Sequence, residues 1–306
     1  MGEWSKKVGE VGEEIVQEFL NLIGWNDVQK GIELPCAMSK HKASTHGIDY
    51  FLSLNSQLVN RTLDHLVISV KYSSNPYPAS PSTIFKKHFC DLAKTIECFK
   101  KSKLRKDASQ AANSIDQSRD IGVLFWLTNS DDTYSDVISK VATTRRIEDY
   151  NYDTIFLVDN HRVSFIYNSM MYLKSTYPKT KIEFFYPNTG QNFNPSSRET
   201  AGSILPVEYI NSSIIPFKVT DTDGSKILVL SSVDEFHIDR LKKLIGLAQD
   251  ISQDLTTSTI ILFPDYNDLN HGNDVQASKI GFKDKDFTKT ISVSSYKSDF
   301  RGINNA

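Results

Sequence analysis

The chain has 306 residues, of which 39% are hydrophobic, 24% charged and 11% aromatic. That is ordinary globular usage and excludes disordered, collagen-like and disulfide-scaffold classes. Lys+Arg 35 against Asp+Glu 37 leave a formal net charge of −2, which excludes a globally basic nucleic-acid binder but not a local basic patch.

The cysteines Cys36, Cys90 and Cys98 are odd in number and form no CxxC pair. A reducing compartment is expected, without a disulfide framework or a zinc ribbon. The opening MGEWSKKVGEVGEEIV lacks the apolar core of a signal peptide, and no run reaches the roughly 18–20 apolar residues of a membrane span. A soluble cytoplasmic protein is expected.

In chain order, Val8, Val11, Ile15, Phe19 and Leu22 recur at steps of three and four and predict a helix closed by Gly24. Ile48 to Leu54 and Leu66 to Tyr72 read as strands, joined by a polar connection. A long helix follows from about Ser82, with Phe85, Phe89, Leu92, Ile96 and Phe99 on one stripe. The buried strand IGVLFWLTN, a weak helix around Ser135 to Ile147, TIFLVD, a helix near Tyr167 to Ser175 and KIEFFYP complete an alternating α/β run.

Residues 188–203, rich in Asn, Ser, Thr, Gly and Pro, are the linker candidate, giving a first domain over 1–190 and a small α/β domain over 204–306. Within the second, IIPFKVTDTDGSKILVLSS predicts a hairpin turning at Asp223-Gly224, followed by a helix (Phe236 to Ile251) and the strand TIILF. The tail after Pro264 carries no assignable pattern.

Three segments carry chemistry. Glu13 lies on the opening helix, Asp49 near the start of a strand in HGIDY, and Ser69 and Lys71 on one face of the next strand. An Asp and a Lys in otherwise apolar strands need partners. Were the strands neighbours, Asp49 would sit across from Ser69 and Lys71, with Glu13 reaching in from the helix edge. A carboxylate-carboxylate-lysine cluster suits phosphodiester hydrolysis. Carboxylates hold Mg²⁺, which binds phosphate oxygens and activates water, while the lysine offsets developing charge.

In type and order these segments resemble the PD-(D/E)xK, or restriction-endonuclease-like, nuclease superfamily. Glu13 precedes Gly24-Trp25, Asp49 fills the first strand acid and Lys71 the lysine. The resemblance implies a mixed central sheet flanked by helices and a Mg²⁺-dependent DNA endonuclease, with Mn²⁺ as a possible substitute. Asp49 and Glu13 would hold the metal. Ser69 stands where the superfamily usually has an acid; some members with this pattern take the missing carboxylate from the following helix, which here offers Asp91 and Glu97. A narrower resemblance, in THGIDYF and SVKYSSN, is to the nuclease subunit of a two-gene prokaryotic anti-phage defence system. It implies a complex with an operon-encoded partner, and the wider superfamily resemblance implies a homo-oligomer or a hetero-complex; with no apolar span, no membrane is expected. The neutral Ser69 keeps open a catalytically degenerate DNA-binding or scaffold subunit, and a repair or junction-resolving nuclease would share the chemistry.

From Lys86 to Lys106 there are eight basic residues against two acids, and Lys87, Lys94 and Lys101 recur every seven. They predict a positive ridge for DNA phosphates, with a solvated helix face about equally good as an explanation. His46 is expected to bond backbone. His41 and His46 have no companion Cys or His at zinc spacing, so no metal is expected there. His237 reads as a partly buried histidine, and Asp221 and Asp223 as turn residues rather than calcium ligands. There is no GxxxxGK[ST] and no dinucleotide fingerprint.

Overall fold

The first helix, α1 (Gly2–Leu22), buries Gly12, Val16, Phe19 and Leu20. That line is rotated from the stripe the periodicity suggests, for Val11 and Ile15 remain 39% and 41% exposed. Gly12 explains the rotation. A Cβ there would lie 2.3 Å from Cβ of Tyr72, so the helix backbone approaches the sheet where a side chain would hold it off. The computed structural model describes residues 2–130, 132, 135–145, 149–192, 198–252 and 256–297.

The chain divides into two compact units, Met1–Ser164 and Phe165–Ala306. In the first unit α1 is followed by β1 (Gln29–Pro35), β2 (Thr45–Asn55), β3 (Thr62–Ser73), α2 (Ser82–Phe99), α3 (Lys103–Ala111), β4 (Gln117–Thr128), α4 (Ile138–Val141) and β5 (Thr154–Val158). Helix α5 (Asn160–Thr176) begins in this unit and ends in the next. The sheet order is β1-β2-β3-β4-β5. The first three strands form an antiparallel meander, while β3, β4 and β5 run parallel. A parallel β3–β4 pair needs a crossover, and α2 with α3 supplies it.

The sheet faces follow strand alternation. Phe51 and Val67, paired across β2 and β3, join Leu124, Trp126 and the apolar stripe of α2 in one buried cluster. On the α1 side, Tyr72 lies under Gly12, the Tyr50 hydroxyl donates to the Glu13 main-chain oxygen at 2.8 Å, and Phe19 meets Phe125 edge-on. Asp159 accepts from the N–H groups of Val137, Ile138 and Arg162, which caps α5 and secures α4 to it. Of the helix expected around 135–147, only Ile138–Val141 is helical among the described residues; 135–137 and 142–145 are not helical, and 146–148 lie outside the described residues.

The second unit contains β6 (Lys181–Phe185), β7 (Ala201–Gly202), β8 (Ile214–Thr220), β9 (Lys226–Ser232), α6 (Ile238–Ser252), β10 (Ser258–Phe263), α7 (Asp268–Ile280), α8 (Lys285–Lys289) and β11 (Ile291–Ser295). Its sheet order is β11-β10-β9-β8-β6-β7. The β8–β9 hairpin turns where expected, with Gly224 at φ 85 and its N–H bonded to Asp221 O at 3.0 Å. Strand β6, grouped by its sequence with the first α/β run, pairs antiparallel with β8. The polar 188–203 segment therefore connects strands of the second unit, with 193–197 outside the described residues. The tail without a sequence pattern holds α7, α8 and β11. Among the described residues, no helix is long and apolar enough to cross a membrane.

Candidate active site

The β2–β3 ladder runs from Asn55↔Leu63 to Tyr50↔Ile68. The next position on β2 is Asp49, and its Oδ2 accepts the Val70 N–H at 2.6 Å. A carboxylate thus takes the place of a strand carbonyl where the two strands would otherwise continue pairing. Val70 lies between Ser69 and Lys71, so this bond ties the Asp49 carboxylate to the segment carrying both predicted residues. In register with β4, Ser69 faces Leu124 and Lys71 faces Trp126. Ser69 is buried, whereas Asp49 and Lys71 are partly exposed.

Glu13 reaches this group from α1. Its carboxyl is raised above the usual carboxylate range first by lost hydration, then by the negative charges of Asp49 and Glu10; Lys71 and Lys30 pull it down. The charges of Asp49 and Lys71 thus both act on Glu13. Neighbouring Tyr50 is pushed up to about 12, first by burial and then by Glu13, Asp49 and Glu14. Lys30 on β1 donates to Gln17, one turn along α1 from Glu13, and ties that helix to the edge strand.

His88 on α2 belongs to the same neighbourhood and was not singled out from the sequence. Its ring meets Trp126 edge-on, with centroids 5.5 Å apart. Burial first, then the positive charge of Lys71, lowers it to about 4, so it is neutral at physiological pH. The ammonium of Lys71 therefore acts on Glu13 from one helix and on His88 from another. An isolated histidine inside an amphipathic helix carries no sequence signal of such a position.

The two acids considered as replacements at the Ser69 position differ. Glu97 is buried and engaged, with Lys40 Nζ at 2.9 Å and His41 Nε2 at 2.7 Å. Asp91 is exposed, and its charge acts on both His88 and His46.

The expected basic ridge is broken. Helix α2 stops at Phe99, and Ser102 caps a separate α3 by accepting the Arg105 N–H at 3.1 Å. Lys101 lies in the intervening turn, with Nζ 3.2 Å from Met38 Sδ. Lys94 lies over the Tyr150 ring at 5.5 Å, and Lys87 is exposed on α2. Lys100 pairs with Asp153 at 3.0 Å and Arg105 with the buried Asp120 at 2.8 Å, so part of the positive charge is spent inside the unit. His46 does not bond backbone as expected; its Nε2 lies 3.2 Å from His41 Nδ1. His237 is exposed, 3.9 Å from Asp239.

A β-meander followed by a helical crossover to parallel strands, with an acid on the second strand, a lysine on the third and a glutamate on the first helix, defines a PD-(D/E)xK nuclease fold. The family described as the GAPS4 protein PD-(D/E)XK nuclease domain matches residues 1–162, and the chain belongs to that family. No curated protein and no solved structure matches the chain.

Proposed function

We propose that the chain is a metal-dependent DNA endonuclease, acting in prokaryotic defence against phage or plasmid DNA together with a partner protein. The observation that carries this reading is the electrostatic grouping of Glu13, Asp49 and Lys71 around the end of the β2–β3 ladder. Opposed carboxylates beside a serine hydroxyl are hard oxygen donors suited to Mg²⁺ or Mn²⁺, and a divalent cation would relieve the Asp49 repulsion that adds to lost hydration in raising Glu13. Such an ion supplies Lewis-acid polarisation of the phosphodiester.

The chain's own groups divide the remaining work. Asp49 and Glu13 would hold the cation, with Asp49 fixed by the Val70 N–H. The Lys71 ammonium donates hydrogen bonds to a non-bridging phosphate oxygen and opposes the charge that grows there. Neutral His88 accepts or donates a single hydrogen bond without adding charge to the Lys71 side. Ser69 would contribute a neutral hydroxyl.

One observation favours a second reading, a catalytically degenerate DNA-binding or scaffold subunit. The position two before Lys71 is a buried serine rather than an acid. The experiment that separates them is cleavage of supercoiled and linear DNA with Mg²⁺ or Mn²⁺, by wild type and Lys71→Ala, with and without proteins encoded beside the gene. Cleavage lost in the variant supports the nuclease, and a requirement for a neighbour supports the partner. Salt-sensitive DNA binding without cleavage under every condition supports the second reading.

A further inference from the structure

Cys36, His41, His46 and Cys98 come from separate stretches of the first unit and converge on one point. Cys36 directly follows β1, His41 ends the short 3₁₀ turn Ser39–His41, His46 lies at the start of β2, and Cys98 is in the last turn of α2. Their ligand atoms all lie within 4.8 Å of one another. The separations are 3.7 Å for Cys36 Sγ to Cys98 Sγ, 3.6 and 3.4 Å from those sulfurs to His41 Nδ1, and 3.2 Å from His41 Nδ1 to His46 Nε2.

Four of the six separations match the edges of a metal tetrahedron, and the two from His46 Nε2 to the sulfurs lie within 4.8 Å. With Zn–S of about 2.3 Å and Zn–N of about 2.0–2.1 Å at tetrahedral angles, the S–S, S–N and N–N edges come to about 3.8, 3.5 and 3.3 Å. We propose that Cys36, His41, His46 and Cys98 form a structural Zn²⁺ site that fastens the β1–β2 connection to the end of α2.

The surroundings are those of a zinc centre. His41 Nε2 faces Glu97 Oε2 at 2.7 Å, which puts the proton on Nε2 and leaves the Nδ1 lone pair for the metal. Glu97 is held in turn by Lys40 Nζ at 2.9 Å. The Ala37 N–H points at Cys98 Sγ at 3.4 Å, a donor placed to stabilise a thiolate. Two thiolates neutralise the ion's charge, and their two protons are released on binding. Four protein ligands close the shell, so the site builds structure and leaves no open position for a substrate.

The sequence expectation of no metal at His41 and His46 is corrected by Cys36 and Cys98. Cys98 stands 57 residues from His41 and only the fold delivers it. The site lies outside the carboxylate-lysine cluster, and the proposal stands whether or not the nuclease reading does. The two still connect through the chain, because His46 is three residues before Asp49 on β2.

The test is elemental analysis of the full-length chain purified from zinc-replete cells and passed over a chelating resin. One zinc per chain is expected in wild type and in Cys90→Ser, with zinc lost in Cys36→Ser and Cys98→Ser. His46→Cys should keep the metal, and Glu97→Gln should bind it about 10- to 100-fold more weakly. Because cysteine variants can fail to fold, cobalt replacement of the wild-type metal gives a second reading: visible bands of tetrahedral cobalt with sulfur charge-transfer absorption. Folded wild type without stoichiometric zinc, a Cys36–Cys98 disulfide in its place, or an octahedral cobalt spectrum would each overturn the proposal.

Discussion

The Asp49 carboxylate accepts the main-chain N–H of Val70 at 2.6 Å, just past the last β2–β3 pair, Tyr50↔Ile68. By this bond Asp49 is a structural acceptor, and in the proposed function it is also a metal ligand, so substitutions should separate the two roles. Asp49→Asn keeps an acceptor for Val70 and removes charge, so folding should survive while metal-dependent cleavage falls by at least ~10²-fold. Asp49→Ala should lose the activity and in addition about 1–3 kcal/mol of stability through the orphaned N–H. Denaturant melts and cleavage rates measured side by side check both. Equal stability in the two variants would show that the Val70 bond contributes nothing.

Much of the first unit is legible in the sequence, for an identifiable reason. Helix α2 and strands β2 to β5 bury strongly apolar residues at regular spacing, so periodicity finds them. Edge strand β1 escapes notice because it exposes most of its residues and has Gly31 at φ 59. Helix α3 buries nothing, and α7 buries only Val275 and Ser278. The α1 stripe is misread because a glycine, not an apolar residue, marks the line of closest approach. Glu13, Asp49 and Lys71 stand out as candidates because their order along the chain is itself a pattern. His88 and the Cys36–His41–His46–Cys98 group depend on elements distant in sequence, and local spacing says nothing about those.

Gly12 makes a paired prediction. An alanine in the middle of a helix is ordinarily favoured over glycine by about 0.5–1 kcal/mol. Gly9, with nothing near its missing Cβ, should show that gain in Gly9→Ala. Gly12→Ala should instead destabilise by about 1–3 kcal/mol, because the new methyl meets Tyr72 and lifts α1 from the sheet. Glu13 moves with α1, so cleavage should fall too. Thermal melts of the two variants decide, and a stabilised Gly12→Ala would contradict the close approach.

His88 sets an acid limit on stability. The group is held at about 4 against an ordinary 6.5 by burial, then by Lys71, with Asp91 acting the other way and Lys87 adding to the lowering. Between those values the unfolded chain binds the proton and the folded chain does not. Stability from His88 is therefore complete above about pH 6.5 and declines as pH falls towards about 4. His88→Gln should flatten that part of the curve. Urea midpoints of wild type and variant across this range test the sign, and parallel curves would place His88 in a more hydrated setting.

Charges of the broken ridge should respond unequally when DNA is bound. Lys87 is exposed on α2, so Lys87→Ala should weaken binding across sequences and reduce the salt slope by about 1 with little change in melting. Lys100 is already paired with Asp153 and Asn151, so Lys100→Ala should lower stability slightly and leave the salt slope unchanged. Lys94, over the Tyr150 ring, should fall between the two, since a phosphate would have to compete with that ring for the ammonium. Binding isotherms at several salt concentrations, alongside melts, measure all three. A slope that drops equally for Lys87→Ala and Lys100→Ala would mean that the Asp153 pair opens on DNA and that the ridge acts as one surface.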